Sequence, residues 1–186
     1  MKLKEVLLDV TKYLTDQEVP YAIIGGFAAI VWGRARTTFD IDIIVDQNQL
    51  NIKNFVEFLN SKGLMTSVYD IKAAFNEHSH STILLRDEPL YRIDLKGAYT
   101  QDEWETIETA KPVTYSGQVI HFGSPESLIA FKLKYGSERD LEDALIIFIA
   151  QRANLDWKYL VSLCSRLGVN KQFQELQRKA KESEDP

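Results

Sequence analysis

Leu3, Leu7, Val10 and Leu14 are spaced four, three and four residues apart, which puts them on one face of a helix. Residues 21–24 form a short apolar run that predicts a buried strand, and Gly25-Gly26 breaks it. A short helix over 27–32 follows. Residues 39–45 read Phe-Asp-Ile-Asp-Ile-Ile-Val, a β-type run with acids at every second position. Leu50, Phe55, Val56 and Leu59 lie at roughly helical spacing, with Gly63 as the stop. The pattern then predicts a strand over 64–69 and a short helix or loop over 72–78. Residues 81–85 and 90–95 read as strands of an antiparallel hairpin, and 111–115 and 119–122 flank Ser116-Gly117 as a second one. Ser124-Pro125-Glu126 is a helix start: serine suits the N-cap, proline the first turn, and glutamate the positive end of the macrodipole. That helix runs to Tyr135, where Gly136 stops it. Three further helices are predicted over 138–151, 157–167 and 171–181.

The fold class expected from this order is α+β, a mixed sheet with flanking helices followed by a C-terminal helical bundle. The expected division is a core over 1–123 and a helical region over 124–186. With 186 residues, 45% hydrophobic and 26% charged, the chain has the apolar content to build a core. Its 22 basic and 27 acidic residues give a formal charge of -5, which argues against non-specific coating of nucleic acid. The single cysteine, Cys164, excludes an internal disulfide framework and a cysteine-rich zinc module, and fits a reducing, cytoplasmic setting. Glu5 and Asp9 interrupt the first apolar stretch, so it reads as neither signal peptide nor membrane span, and no membrane partner is expected. A charged tail covers 179–186.

The candidate chemistry begins at Asp40 and Asp42. Residues two apart on a strand face the same way, so both carboxylates project together, roughly 7 Å apart along the strand, while Ile41 and Ile43 face a core. Unpaired, the two acids repel, and a divalent cation between them removes the conflict; a solvated acidic face is the plainer alternative. Tyr91-Arg-Ile-Asp-Leu95 alternates too, with Arg92 and Asp94 on one face. If that strand lies beside 39–45, Asp94 joins Asp40 and Asp42, and three carboxylates can hold two Mg²⁺ ions for phosphoryl transfer. Gly25-Gly26 sits between a strand and a helix, where it can serve either as a simple turn or as a cradle for phosphates. Lys132 lies close to the apolar face of Leu128, Phe131 and Tyr135. It either snorkels to water or meets a charged partner such as a triphosphate. Arg34 and Arg36 stand just before the acids. His78 and His80 read as loop residues and His121 as structural. Cys164 falls on the apolar side of a helix, and Trp104, Trp157, Tyr159 and Phe173 are expected in the core. Lys171, Arg178, Lys179 and Lys181 read as a solvated helix face.

The strand, Gly25-Gly26, the helix, Arg36-Thr37-Thr38-Phe39-Asp40-Ile41-Asp42 and a distant strand acid together resemble the DNA polymerase beta-type nucleotidyltransferase superfamily. The Gly-Gly form resembles the bacterial and archaeal branch that includes abortive-infection-type toxin nucleotidyltransferases. The resemblance covers about residues 19–145. It implies a mixed sheet flanked by helices and transfer of a nucleoside monophosphate from an NTP to an acceptor hydroxyl. It also implies dependence on Mg²⁺, with two ions and Mn²⁺ as a substitute. On it, Asp40 and Asp42 match the metal-binding acids, and Asp94 the third acid, which activates the acceptor hydroxyl. Gly25, Gly26, Arg36 and Thr38 fall in the nucleotide-binding block. Lys132 and the Arg139-Asp140 segment resemble a later nucleotide-binding motif, in which Asp140 and Asp143 compete for one position. The implied acceptors are tRNA, a protein or a small molecule, and the implied setting includes a toxin–antitoxin pair with an antitoxin partner. A catalytically weak binding subunit of such a pair is the alternative reading.

Overall fold

The computed structural model describes residues 3–183; residues 1–2 and 184–186, which include the end of the charged tail, lie outside the described residues. The chain divides into two compact units. One holds the chain up to Phe27 together with Thr37–Phe122, and the other holds Ala28–Arg36 and the chain from Gly123 onward. Helix α2 (Gly25–Trp32) begins in the first and ends in the second.

The first unit is built on strands β1 (Tyr21–Ile24), β2 (Asp40–Val45), β3 (Leu64–Met65), β4 (His80–Leu85), β5 (Arg92–Gly97), β6 (Lys111–Tyr115) and β7 (Gln118–Phe122). They form one sheet in the order β3-β4-β5-β2-β1-β7-β6. The sheet is mixed: β2 runs antiparallel to β1 and parallel to β5, and β1 runs parallel to β7. An α+β architecture with C-terminal helices is therefore what the chain adopts. Ile41, Ile43 and Val45 are fully buried on one face of β2. The opposite face carries Asp40, Asp42 and Ile44 by alternation. Ile44 is buried there with Ala22, Ala98 and Ile107, so the acid-bearing face is covered at its Ile44 end and more open at its Asp40 end. Helix α1 (Leu3–Asp16) packs against β2 and β7 through Val6, Leu7, Val10 and Leu14, as its apolar spacing predicts.

Two stretches differ from the pattern-based expectation. Residues 64–69 are not one strand: β3 ends at Met65, and Val68–Asn76 is a helix, α4. Ser67 decides this, because its hydroxyl accepts the Asp70 N–H at 3.1 Å and caps α4, so Tyr69 turns outward and is 79% exposed. A helix that the hydrophobic pattern did not predict, α5 (Gln101–Glu108), follows β5. Its apolar residues are few, and its signal is a capping box, Thr100 with Glu103. Glu103 also ion-pairs with Lys96 and accepts the Tyr99 and Thr100 N–H groups. Through Ile107, α5 covers Ile44. Thr100→Ala is expected to cost about 1 kcal/mol, and a thermal melt should fall by roughly 2–4 °C. An unchanged melting temperature would show that the box contributes nothing.

In the second unit, helices α6 (Pro125–Tyr135), α7 (Glu138–Gln151), α8 (Trp157–Arg166) and α9 (Asn170–Glu182) pack together. Helix α6 starts at the Ser124 cap and stops at Gly136, whose φ of 71° is left-handed, as the sequence signals indicate. The end of α2 is tied in by Trp32, whose indole donates to the Gly123 carbonyl and whose own carbonyl accepts from Gln151, both at 2.8 Å. Glu126 does more than complement the macrodipole: it is buried and accepts the Asp156 N–H at 2.7 Å. The expected apolar face of α6 is narrower than its spacing suggests, since Tyr135 is 67% exposed. Phe173 is buried, whereas Trp157 lies edge-on to Phe148 and remains 40% exposed. Cys164 is fully buried, and burial pushes its thiol up to about 11, so it is protonated and unreactive at neutral pH. Among the described residues no helix is long and apolar enough to cross a membrane.

Candidate active site

The acid pair and the third acid lie on neighbouring strands. In the parallel β2–β5 ladder Asp42 is the register partner of Asp94, and Asp40 of Arg92. Strand alternation puts all four side chains on one face. The structure thus brings Asp40, Asp42 and Asp94 together across 54 residues of chain, the difference between positions 40 and 94.

Gly25 explains why a glycine pair must stand beside these acids. Its φ is +60°, and a β-carbon there would lie 1.9 Å from Asp42 Oδ2 and 2.5 Å from its carboxyl carbon. The next residue, Gly26, points its N–H at the same oxygen at 3.4 Å. The turn therefore packs its bare backbone onto Asp42.

Arg92 lies between the other two carboxylates. Its Nη2 donates to Asp40 Oδ2 at 2.9 Å and its Nε to Asp94 Oδ2 at 3.0 Å. The hydrogen bond to Asp94, and the charges of all three acids, raise the guanidinium pKa against the opposing effect of burial. The remaining oxygens of the two acids are also engaged: Asp40 Oδ1 accepts from the Thr38 hydroxyl at 2.7 Å, and Asp94 Oδ1 from the Thr82 hydroxyl at 2.8 Å. Thr38 is thus turned toward Asp40. Thr82, the register partner of Asp94 on β4, carried no motif that pointed to it. Arg92 did carry a signal, its place two residues before Asp94 on an alternating strand.

The donor set is oxygen only, as hard divalent cations require, and two of the donors are lateral neighbours in the sheet. The residues fit such a cation in chemistry and in face. Among the described residues, no group of three or more His, Cys, Asp or Glu side chains is already disposed to hold a metal ion. Arg92 occupies one oxygen of Asp40 and one of Asp94.

The second unit contains a separate charged cluster. Lys132 is only 7% exposed, and its ammonium meets Asp143 at 2.8 Å and Asp140 at 3.1 Å. Arg36 grips Asp143 with both prongs, Nε to Oδ1 at 3.0 Å and Nη2 to Oδ2 at 2.8 Å. Asp143 is the buried centre of this network, whereas Asp140 is more open and also accepts the Ser137 hydroxyl at 2.6 Å. Both acids meet Lys132, and Asp143 also takes the two-pronged grip of Arg36. Arg34 ion-pairs with Glu142. His78 stacks on Tyr99 and His121 sits edge-on to Tyr21, both away from the acid trio in sequence and in contacts.

Solved structures share this fold. The crystal structure of ANT(2")-Ia in complex with adenylyl-2"-tobramycin superposes with a TM-score of 0.58 at 15% identity, covering 88% of this chain and 95% of that one. An antigenic nucleotidyltransferase-like protein from Paracoccidioides brasiliensis gives 0.57 at 16% identity, covering 95% and 92%. The lincomycin-bound lincosamide antibiotic adenylyltransferase LnuA gives 0.56 at 17% identity, covering 79% and 96%. No curated protein matches the sequence. The family model described as aminoglycoside-2''-adenylyltransferase matches residues 6–120, more than half of the chain. That stretch spans the Gly25-Gly26 turn and all three acids, and the chain therefore belongs to the aminoglycoside-2''-adenylyltransferase family of nucleotidyltransferases.

Proposed function

We propose that this protein transfers a nucleoside monophosphate, from ATP in the first instance, to a hydroxyl of a small polycationic molecule of the aminoglycoside kind. The observation that carries the reading is the lateral pairing of Asp42 with Asp94 next to a glycine turn packed on Asp42. In this reading Asp40, Asp42 and Asp94 hold divalent cations, Mg²⁺ or Mn²⁺, which when bound neutralise the phosphates' charge. Gly25 and Gly26 seat the nucleotide's phosphates with backbone alone. Asp94 accepts the proton of the acceptor hydroxyl. The hydroxyl oxygen forms a bond to the α-phosphorus, the bond from that phosphorus to the bridging oxygen breaks, and pyrophosphate leaves. Positioning and charge neutralisation supply most of the rate. Lys132 and Arg36 are the cations that the resemblance assigns to the nucleotide, and within the second unit both meet Asp143.

The family description and the formal charge of -5 both favour a cationic acceptor over RNA. The test is incubation with α-labelled ATP, Mg²⁺ and a panel of aminoglycosides. Wild type should yield a labelled aminoglycoside, and Asp42→Ala should lower that yield by about a hundredfold to a thousandfold, the scale of losing a principal charge-stabilising group. Equal labelling by both proteins removes the mechanism. Label appearing on tRNA or protein instead would move the reading to the toxin-type setting that the sequence resemblance implies, with an antitoxin as its natural partner. ATP binding without label on any acceptor would favour a binding subunit.

A further inference from the structure

We propose that Arg92 is an internal stand-in for the divalent cation: it clasps Asp40 and Asp94 in the cation-free protein and is displaced when the cation binds. The inference rests on the reading of the three acids as cation ligands.

Three carboxylates on one face of two adjacent strands repel each other unless positive charge lies among them. Arg92 supplies it from within the same face, because it is the register partner of Asp40 and stands two residues before Asp94. Two different nitrogens reach the two acids, so the guanidinium bridges β2 and β5 rather than pairing with one neighbour. Its fork suits that task, and its charge persists at any accessible pH.

A cation shared by these acids needs the oxygens that Arg92 now holds. A guanidinium and a divalent ion on the same oxygens repel strongly, so the two occupy the site in turn. The hydroxyls of Thr38 and Thr82 hold the other oxygens and carry no charge, so they stay in place and keep the carboxylates oriented through the exchange. Arg92 can leave because its side chain is 41% exposed while that of Asp94 is 15% exposed. Its backbone is fixed as the first residue of β5, so only side-chain torsions move. The arrangement keeps the acids assembled before the cation arrives and weakens cation binding by the cost of breaking the clasp.

Mn²⁺ alone is the probe, with free Mn²⁺ followed by paramagnetic resonance on the full chain, and melting measured in chelator and in Mn²⁺. Arg92→Met keeps the apolar stem and removes the charge. It should bind Mn²⁺ about tenfold more tightly than wild type, the scale of one charge-assisted hydrogen bond. It should also melt lower than wild type in chelator and gain more from Mn²⁺. Arg92→Lys, which reaches one carboxylate at a time, should fall between the two and serves if the methionine variant does not fold. Equal or weaker Mn²⁺ binding by both variants overturns the proposal while leaving the cation site intact. Wild type and variants that take up no Mn²⁺, or an Asp42→Asn protein that binds it as well as wild type, overturn the cation-ligand reading and the proposal with it.

Discussion

Gly25→Ala is expected to lower nucleotidyl transfer by about a hundredfold or more, the cost of misplacing a reacting group by roughly 1 Å. Two effects act together. The left-handed φ of +60° disfavours any residue with a β-carbon, by about 1–3 kcal/mol. That β-carbon would also lie 1.9 Å from Asp42 Oδ2, far inside contact distance, so the carboxylate or the turn must move. The obstacle is the centre of the site rather than the far end of a flexible surface chain, and the loss should therefore appear in turnover more than in folding. The measurement is the labelled-ATP assay with a thermal melt beside it. A Gly25→Ala protein with wild-type turnover would mean that the position of Asp42 does not matter to transfer.

The second large effect concerns stability. Asp143→Ala should destabilise the protein by about 3–5 kcal/mol, because it leaves buried cations without their counter-charge. The side chains of Lys132, Asp143 and Arg36 are 8%, 7% and 18% exposed, so water cannot replace the carboxylate cheaply. Asp140 retains its contact with Lys132 but is more open, its side chain 24% exposed, so it offsets only part of the loss. The same network sets a pH dependence. Burial pushes the Asp143 pKa up, but hydrogen bonds from Arg36 and Lys132 outweigh it and hold the carboxyl below its ordinary value of 3.8. A carboxyl depressed in the folded state stabilises the fold above its unfolded pKa, and that contribution drains away as pH falls through the folded value. Stability of the wild type should thus decline below about pH 4, and Asp143→Asn should show a shallower decline over that range. Chemical unfolding at stepped pH tests both; parallel curves for wild type and variant would remove the role given to Asp143.

Much of the scaffold was legible in the chain because its signals are local. The apolar spacing of Leu3 to Leu14 specifies α1, and alternation specifies β2 and the common face of Asp40 and Asp42. Ser124, Pro125 and Gly136 mark the ends of α6. Where a cap and a pattern disagreed, the cap prevailed: Ser67 turned the expected strand over 64–69 into the start of α4. The capping box at Thr100 made a helix from a segment too polar to advertise one.

The sequence by itself determined which residues share a strand face, where most helices begin and end, and which acids were available. Only the tertiary structure decided which of them meet. The pairing of Asp42 with Asp94, the Arg92 clasp and the grip of Arg36 on Asp143, 107 residues away, depend on strand order and register and on helix packing. The physical reason is range: capping and periodicity act within a few residues, whereas pairing between distant segments is selected by burial of the whole sheet and bundle, and by the cost of leaving any buried charge alone.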